Sequence, residues 1–152
     1  MKNRLLSALF LMLCLYGSAQ NLNPKYNKAL ADSMGGDNFG MKTYVLVILK
    51  TGTNTTEKKA AVDSLFRGHM SNIEQMAQGG KLVVAGPMQK NEKNYRGIFI
   101  LNVKTFEEAS ALMVNDPAIS SKLLDVEMFH WYGSAALPIY LPYHEKLQKV
   151  KM

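Results

Sequence analysis

The tightest constraint on this chain is an order. Four short runs rich in β-branched, aliphatic and aromatic residues stand out: TYVLVILK (Thr43 to Lys50), KLVVAGPM (Lys81 to Met88), YRGIFILNV (Tyr95 to Val103) and DVEMFHWY (Asp125 to Tyr132). Runs of this length bounded by turn residues read as strands. Only two segments between them carry a helical period. Asn54 followed by Glu57 reads as an N-cap with a reciprocal acidic partner, opening a helix that runs to about Gln78, where Gly79-Gly80 stops it. Val62, Leu65, Phe66, His69, Ile73 and Met76 then share one helical face, which points His69 toward the sheet. Thr105 and Glu108 form a second capping box, with Phe106, Ala109, Leu112 and Met113 as its inward stripe. Asp116-Pro117 follows as a fresh helix start, with the aspartate as cap and proline at the first helical position.

Strand, helix, strand, strand, helix, strand is the order of the α+β ferredoxin-like βαββαβ sandwich, four antiparallel strands with both helices on one face. Two helices cover one face of such a sheet, yet the first three strands are apolar on both. A second copy of the sheet is the simplest cover, giving a two-fold homodimer; a C-terminal arm is the competing cover.

Flanking segments set the compartment. Lys2 and Arg4 precede an apolar run from Leu5 to Tyr16, and Gly17-Ser18-Ala19 supplies the small residues a signal peptidase reads, so residues 1–19 are expected to be a signal peptide and the product exported, periplasmic or secreted. The run is shorter than the ~20 residues a spanning helix wants, so no stable membrane insertion is expected. Cys14, the single cysteine of the chain, lies in that leader, leaving the mature protein without disulfides or a thiolate nucleophile. Residues 20–41 read as a flexible lead-in with a helical turn from Lys28 to Met34, residues 42–133 as the folded domain, and residues 134–152, with interleaved prolines and aromatics, as an extended arm. The net charge of +6 is modest, and its basic residues form no stripe interleaved with aromatics. Nucleic-acid binding is set aside.

Between Thr43 and Tyr132 the chain resembles the YCII-related family of small dimeric α/β-barrel proteins. The resemblance is carried by His69 in the first helix, by the GKLVVAGPM strand after it, and by the Asp116-Pro117 pair. It implies a cleft beside the sheet in which His69 and Asp116 form a catalytic dyad, and activities of lyase type, such as dehydrohalogenation of a small cyclic substrate. Two features depart from the family pattern: Ala118 stands where members often carry an aromatic, and this chain adds a leader and an arm.

The residues alone also admit plainer roles. A histidine on an inward helical face is often a core residue, and Asp116 has a sufficient role as a helix cap worth ~1 kcal/mol. Both roles are compatible with a dyad, because a capping carboxylate keeps lone pairs for an imidazole. Gly86 and Pro87 end a strand and, in a dimeric barrel, can line the cleft. Tyr95 can wall a pocket, and Arg96 with Lys90 and Lys93 can draw an anion. These four, Gly86, Pro87, Tyr95 and Arg96, are the candidate substrate-binding residues, although each also fits a structural or solvated position. His130 and His144 are scattered and match no zinc spacing, so neither a metal nor a cofactor is expected. The reading that follows is an exported homodimer binding a small molecule, with general acid/base chemistry of lyase or isomerase type at His69 and Asp116. The alternative is a non-catalytic dimeric ligand-binding or protein-docking module.

Overall fold

The computed structural model describes residues 23–55 and 58–150. Strand β1 (Met41–Thr51), apolar on both faces, takes the interior of a four-stranded sheet. It pairs with β3 (Tyr95–Leu101) on one side and β4 (Leu124–Ser134) on the other, and β2 (Leu82–Pro87) pairs outside β3. The order β2-β3-β1-β4, antiparallel throughout, is the ferredoxin-like sheet expected from the sequence. Each strand is within a few residues of its expected bounds.

Register sorts the side chains. Val47 lies between Phe99 of β3 and Met128 of β4, and Val45, Leu49 and Leu101 share that face. Over it lie α2 (Lys59–Gln78), α3 (Phe106–Met113) and the single turn α4 (Pro117–Ser120), whose Met76, Ala109, Met113 and Ala118 complete a continuous core. Fully burying residues such as Phe99 and Leu101 contributes roughly 1.5–3 kcal/mol each. The opposite face carries Leu46, Ile48, Ile98 and Ile100, all partly exposed, and Phe129, which is 49% exposed. At one end of it Tyr44 is buried beside Trp131, and its hydroxyl donates to the Ser134 carbonyl at 2.8 Å.

The capping box of α3 forms as expected: Thr105 Oγ1 accepts from the Glu108 N–H and Glu108 Oε2 accepts from the Thr105 N–H, both at 3.2 Å. The expected start of α2 is corrected. The helix begins at Lys59, after a Lys58 cap that makes no side-chain hydrogen bond, and Glu57 lies outside the described residues. Asn54 is used elsewhere: its N–H donates to the Lys122 carbonyl at 2.9 Å and its amide to the Ser121 carbonyl at 3.0 Å. Carbonyls at the end of a helical turn need external donors, and Asn54 supplies two. Gly52 permits this approach, since a Cβ there would sit 2.0 Å from the Lys122 oxygen.

The arm is also corrected. It is a 3₁₀ turn (Leu137–Tyr140) followed by α5 (Leu141–Leu147), with Pro138 and Pro142 near the first positions of the two elements. Proline is well suited to a helix start, so the two prolines that suggested extended chain mark helix beginnings instead. The arm does not take the open face of the sheet; Tyr140 donates its hydroxyl to the Val83 carbonyl on edge strand β2. Val83 falls at a register shift between Leu82 and Val84, and such a bulge leaves a carbonyl outside the ladder.

Two units divide the chain at Leu30. In residues 23–30, Asn27 Oδ1 accepts from the Leu30 N–H at 3.0 Å, and α1 (Lys28–Met34) matches the expected helical turn. In the larger unit, Asp37 holds a turn by accepting from the N–H groups of Phe39 at 2.8 Å and Met41 at 3.0 Å, and from the Tyr132 hydroxyl. That bond from Tyr132 is the main cause holding the Asp37 carboxyl below the usual carboxylate range. The expected leader lies outside the described residues.

Candidate active site

Helix α2 and the α4 turn pack against one another, and a glycine lets them come close. Gly68 has no side chain where Pro117 presses on the helix: a Cβ there would lie 2.5 Å from Pro117 Cγ. One residue further along α2 is His69, and one residue before Pro117 is Asp116. The approach brings their side chains together, with His69 Nδ1 2.7 Å from Asp116 Oδ2.

Asp116 is fully buried, and its polar surface is used on both oxygens. Oδ1 accepts from the Ala118 N–H at 3.0 Å and the Ile119 N–H at 3.3 Å, as a helix cap does; Oδ2 accepts from His69 and, at 3.4 Å, from the Asn72 side-chain amide. A carboxylate surrounded by donors is an acceptor only, so the proton between it and the ring belongs to Nδ1. Nε2 is then the nitrogen left to exchange a proton with a bound molecule.

Two aromatic rings pack against the imidazole. It stacks on Phe99 of β3 at 5.9 Å between centroids and meets Phe66 of α2 edge-on at 6.1 Å. The residue is 6% exposed. Nδ1 makes the hydrogen bond of this ring, while among the described residues every fully enclosed side-chain nitrogen or oxygen has a partner. Nε2 is therefore not sealed off.

Beside this pair, a cavity of about 1270 Å³ lies between α2, β2 and α5. His69 and Asp116 do not line it. Phe66 and Ile73, one turn of α2 to either side of His69, do, as does Ala85, which pairs across β2 and β3 with the Phe99 that carries the imidazole.

The other sequence candidates sit at some remove. Gly86 and Pro87 form the end of β2, opposite Ile98 and Gly97, with Gly86 next to the cavity-lining Ala85. Tyr95 opens β3 under the Lys93 ammonium, 5.8 Å above its ring, and Arg96 is exposed with its carbonyl accepting from the Met88 N–H. None of the four lines the cavity. His130 stacks on Phe106 at 4.3 Å, and among the described residues no three His, Cys, Asp or Glu side chains gather together. No helix among them is long and apolar enough to cross a membrane.

Two contributors escaped the sequence reading. Asn72 is three residues beyond His69, on the inward side of α2, and a polar residue at that spacing is the signal that marks it. Gly68 inside a long helix is the other, since glycine weakens a helix interior unless something must come close.

No protein family matches the chain, and no curated protein matches it. Among solved structures it is similar to 5-chloro-2-hydroxyhydroquinone dehydrochlorinase (TftG) from Burkholderia phenoliruptrix AC1100, in complex with 2,5-dihydroxybenzoquinone, at 18% identity and a TM-score of 0.41 over 57% of this chain and 92% of that one. The fold class rests on this chain's own strand order.

Proposed function

We propose that this protein is a distant YCII-related enzyme that performs general acid/base chemistry of lyase or isomerase type on a small molecule. The observation that carries the reading is the 2.7 Å bond from His69 Nδ1 to an Asp116 that is 0% exposed, together with an Nε2 that bonds to none of the described residues. Asp116 fixes the tautomer and balances positive charge on the ring. Nε2 removes a proton from a carbon or hydroxyl of the bound molecule and returns it to the product or leaving group.

The test is turnover with a panel of small cyclic and hydroxylated substrates. Acid/base work requires His69→Ala to lower turnover by about 10²-fold or more while the variant stays folded. Turnover equal to that of the native protein would end the reading.

Two further parts belong to the same proposal. The face of partly exposed Leu46, Ile48, Ile98 and Ile100 and half-exposed Phe129 supports a homodimer formed sheet against sheet. The charged start, apolar run and Gly17-Ser18-Ala19 site support export to a periplasmic or extracellular compartment. A second reading is favoured by the 6% exposure of His69 between two aromatic rings: a dimeric module that holds a ligand without converting it.

A further inference from the structure

We infer that the C-terminal arm is a peripheral membrane contact: the outward side of residues 137–150 rests on an anionic lipid surface, reversibly and without crossing it. The inference is independent of the acid/base reading, since it uses neither His69 nor Asp116.

The arm inverts the usual arrangement of a surface helix, which turns its apolar side inward and its polar side to water. Along α5, His144 and Glu145 line the cavity toward α2, as does Gln148 just beyond the helix. Tyr143 and Leu147, one turn apart on a shared face, are instead 64% and 82% exposed. Ile139, four residues before Tyr143, is exposed too, and the pair borders a hollow of about 530 Å³ whose other walls include Ala136 and Leu137. The bond from the Tyr140 hydroxyl to the Val83 carbonyl, with Leu141 against the cavity, opposes any roll that would turn this stripe inward. Hydrocarbon held outward in this way needs a cover.

Charge decides what that cover is. Glu145 is the one acidic residue between positions 134 and 150, and it lines the cavity, as does Arg67 of α2. Lys146 and Lys149 are exposed and line no part of the cavity; the Lys146 ammonium is 5.6 Å from the centre of the Tyr143 ring, so it borders the stripe. A stripe of hydrocarbon and tyrosine edged by lysine suits an anionic bilayer. The apolar side chains enter the headgroup boundary while the lysine stems lie along it and carry their charges to the phosphates. A second copy fits less well, because it brings the same lysines and no outward acid of the arm to meet them. The stripe is short, so binding is weak and needs both its hydrocarbon and its charges.

The experiment uses the form beginning at Gln20, which the expected cleavage leaves and which keeps every described residue, so that the apolar run from Leu5 to Tyr16 does not itself hold lipid. It is floated with vesicles of phosphatidylcholine, alone or mixed with an equal part of phosphatidylglycerol. The protein is expected to float with the anionic vesicles and to be released as salt is raised. Binding is expected to be about tenfold weaker in Tyr143→Gln with Leu147→Gln and in Lys146→Gln with Lys149→Gln, and unchanged in Phe129→Gln on the open sheet face. The four arm residues are exposed, so these variants keep the fold. No flotation, equal flotation with both kinds of vesicle, full binding by either arm variant, or loss in Phe129→Gln instead would overturn the proposal. So would light scattering in which the Tyr143 and Leu147 variant splits an oligomer that Phe129→Gln leaves intact, since that gives the stripe to a second copy.

Discussion

Gly68 and Pro117 are in contact so close that no side chain fits between them: a Cβ at position 68 would lie 2.5 Å from Pro117 Cγ. Because these residues adjoin His69 and Asp116, their contact sets the 2.7 Å bond between imidazole and carboxylate. Two opposing effects bear on Gly68→Ala. Alanine in a helix interior is favoured by about 1 kcal/mol over glycine, whereas overpacking typically costs about 1–3 kcal/mol. The proline ring is rigid and the clash is severe, so the steric term wins. Gly68→Ala is expected to lower the melting temperature, and a rise in it would show that the contact has slack.

Asp116→Asn separates the two duties of this residue. Asparagine caps a helix about as well as aspartate, so the bonds from Ala118 and Ile119 survive. What changes is the group facing His69, since an amide donor there drives the ring proton from Nδ1 to Nε2. The variant is expected to stay folded, to lose about 1–3 kcal/mol of stability from the disturbed buried bond, and to lose the free base. Imidazole ¹⁵N shifts read the tautomer directly; an unchanged Nδ1–H form would contradict this account. Asp116→Ala removes the cap as well and is expected to be the less stable of the two.

The bond from Tyr132 to Asp37 predicts a local response to acid. The Asp37 carboxyl lies below its ordinary value in the folded protein, so its contribution to stability is fully present above the unfolded value of about 4 and fades as pH falls through the lower folded one. Amide exchange at Phe39 and Met41 is expected to accelerate over that range relative to the core strands. Tyr132→Phe moves the onset to higher pH, because the main cause of the depression is gone. Identical onset in the two proteins would show that the tyrosine contributes nothing.

Phe129 pairs across the sheet with Leu46, in the open apolar face. In a sheet-to-sheet dimer, Phe129→Glu places a charge against hydrocarbon and is expected to yield monomers in light scattering. A native protein that is already monomeric at micromolar concentration would remove the dimer.

Lys122 adopts φ +62 between α4 and β4, and its carbonyl accepts from Asn54. A left-handed residue other than glycine costs roughly 1–2 kcal/mol, partly offset in glycine by the entropy of the unfolded chain. Lys122→Gly is expected to raise the melting temperature by a few degrees, about what 0.5–1 kcal/mol gives in a domain this size.

Strand runs, the Thr105–Glu108 box and the Asp116-Pro117 start were readable because each depends on residues a few positions apart, whose periodicity and capping chemistry act before any tertiary contact forms. The order of those elements then left the β2-β3-β1-β4 sheet as the arrangement that buries the two helical stripes. Asn54 shows where local signals stop: it has the chemistry of a cap, but the unfilled carbonyls of Ser121 and Lys122 take it. The arm prolines mislead in the same way, since proline is compatible with extended chain and with a helix start, and contact with β2 decides. The imidazole–carboxylate pair joins residues 47 apart in sequence. Its distance and direction, and the role of Asn72 beside it, depend on a clearance at Gly68 that exists only once two distant segments are packed together.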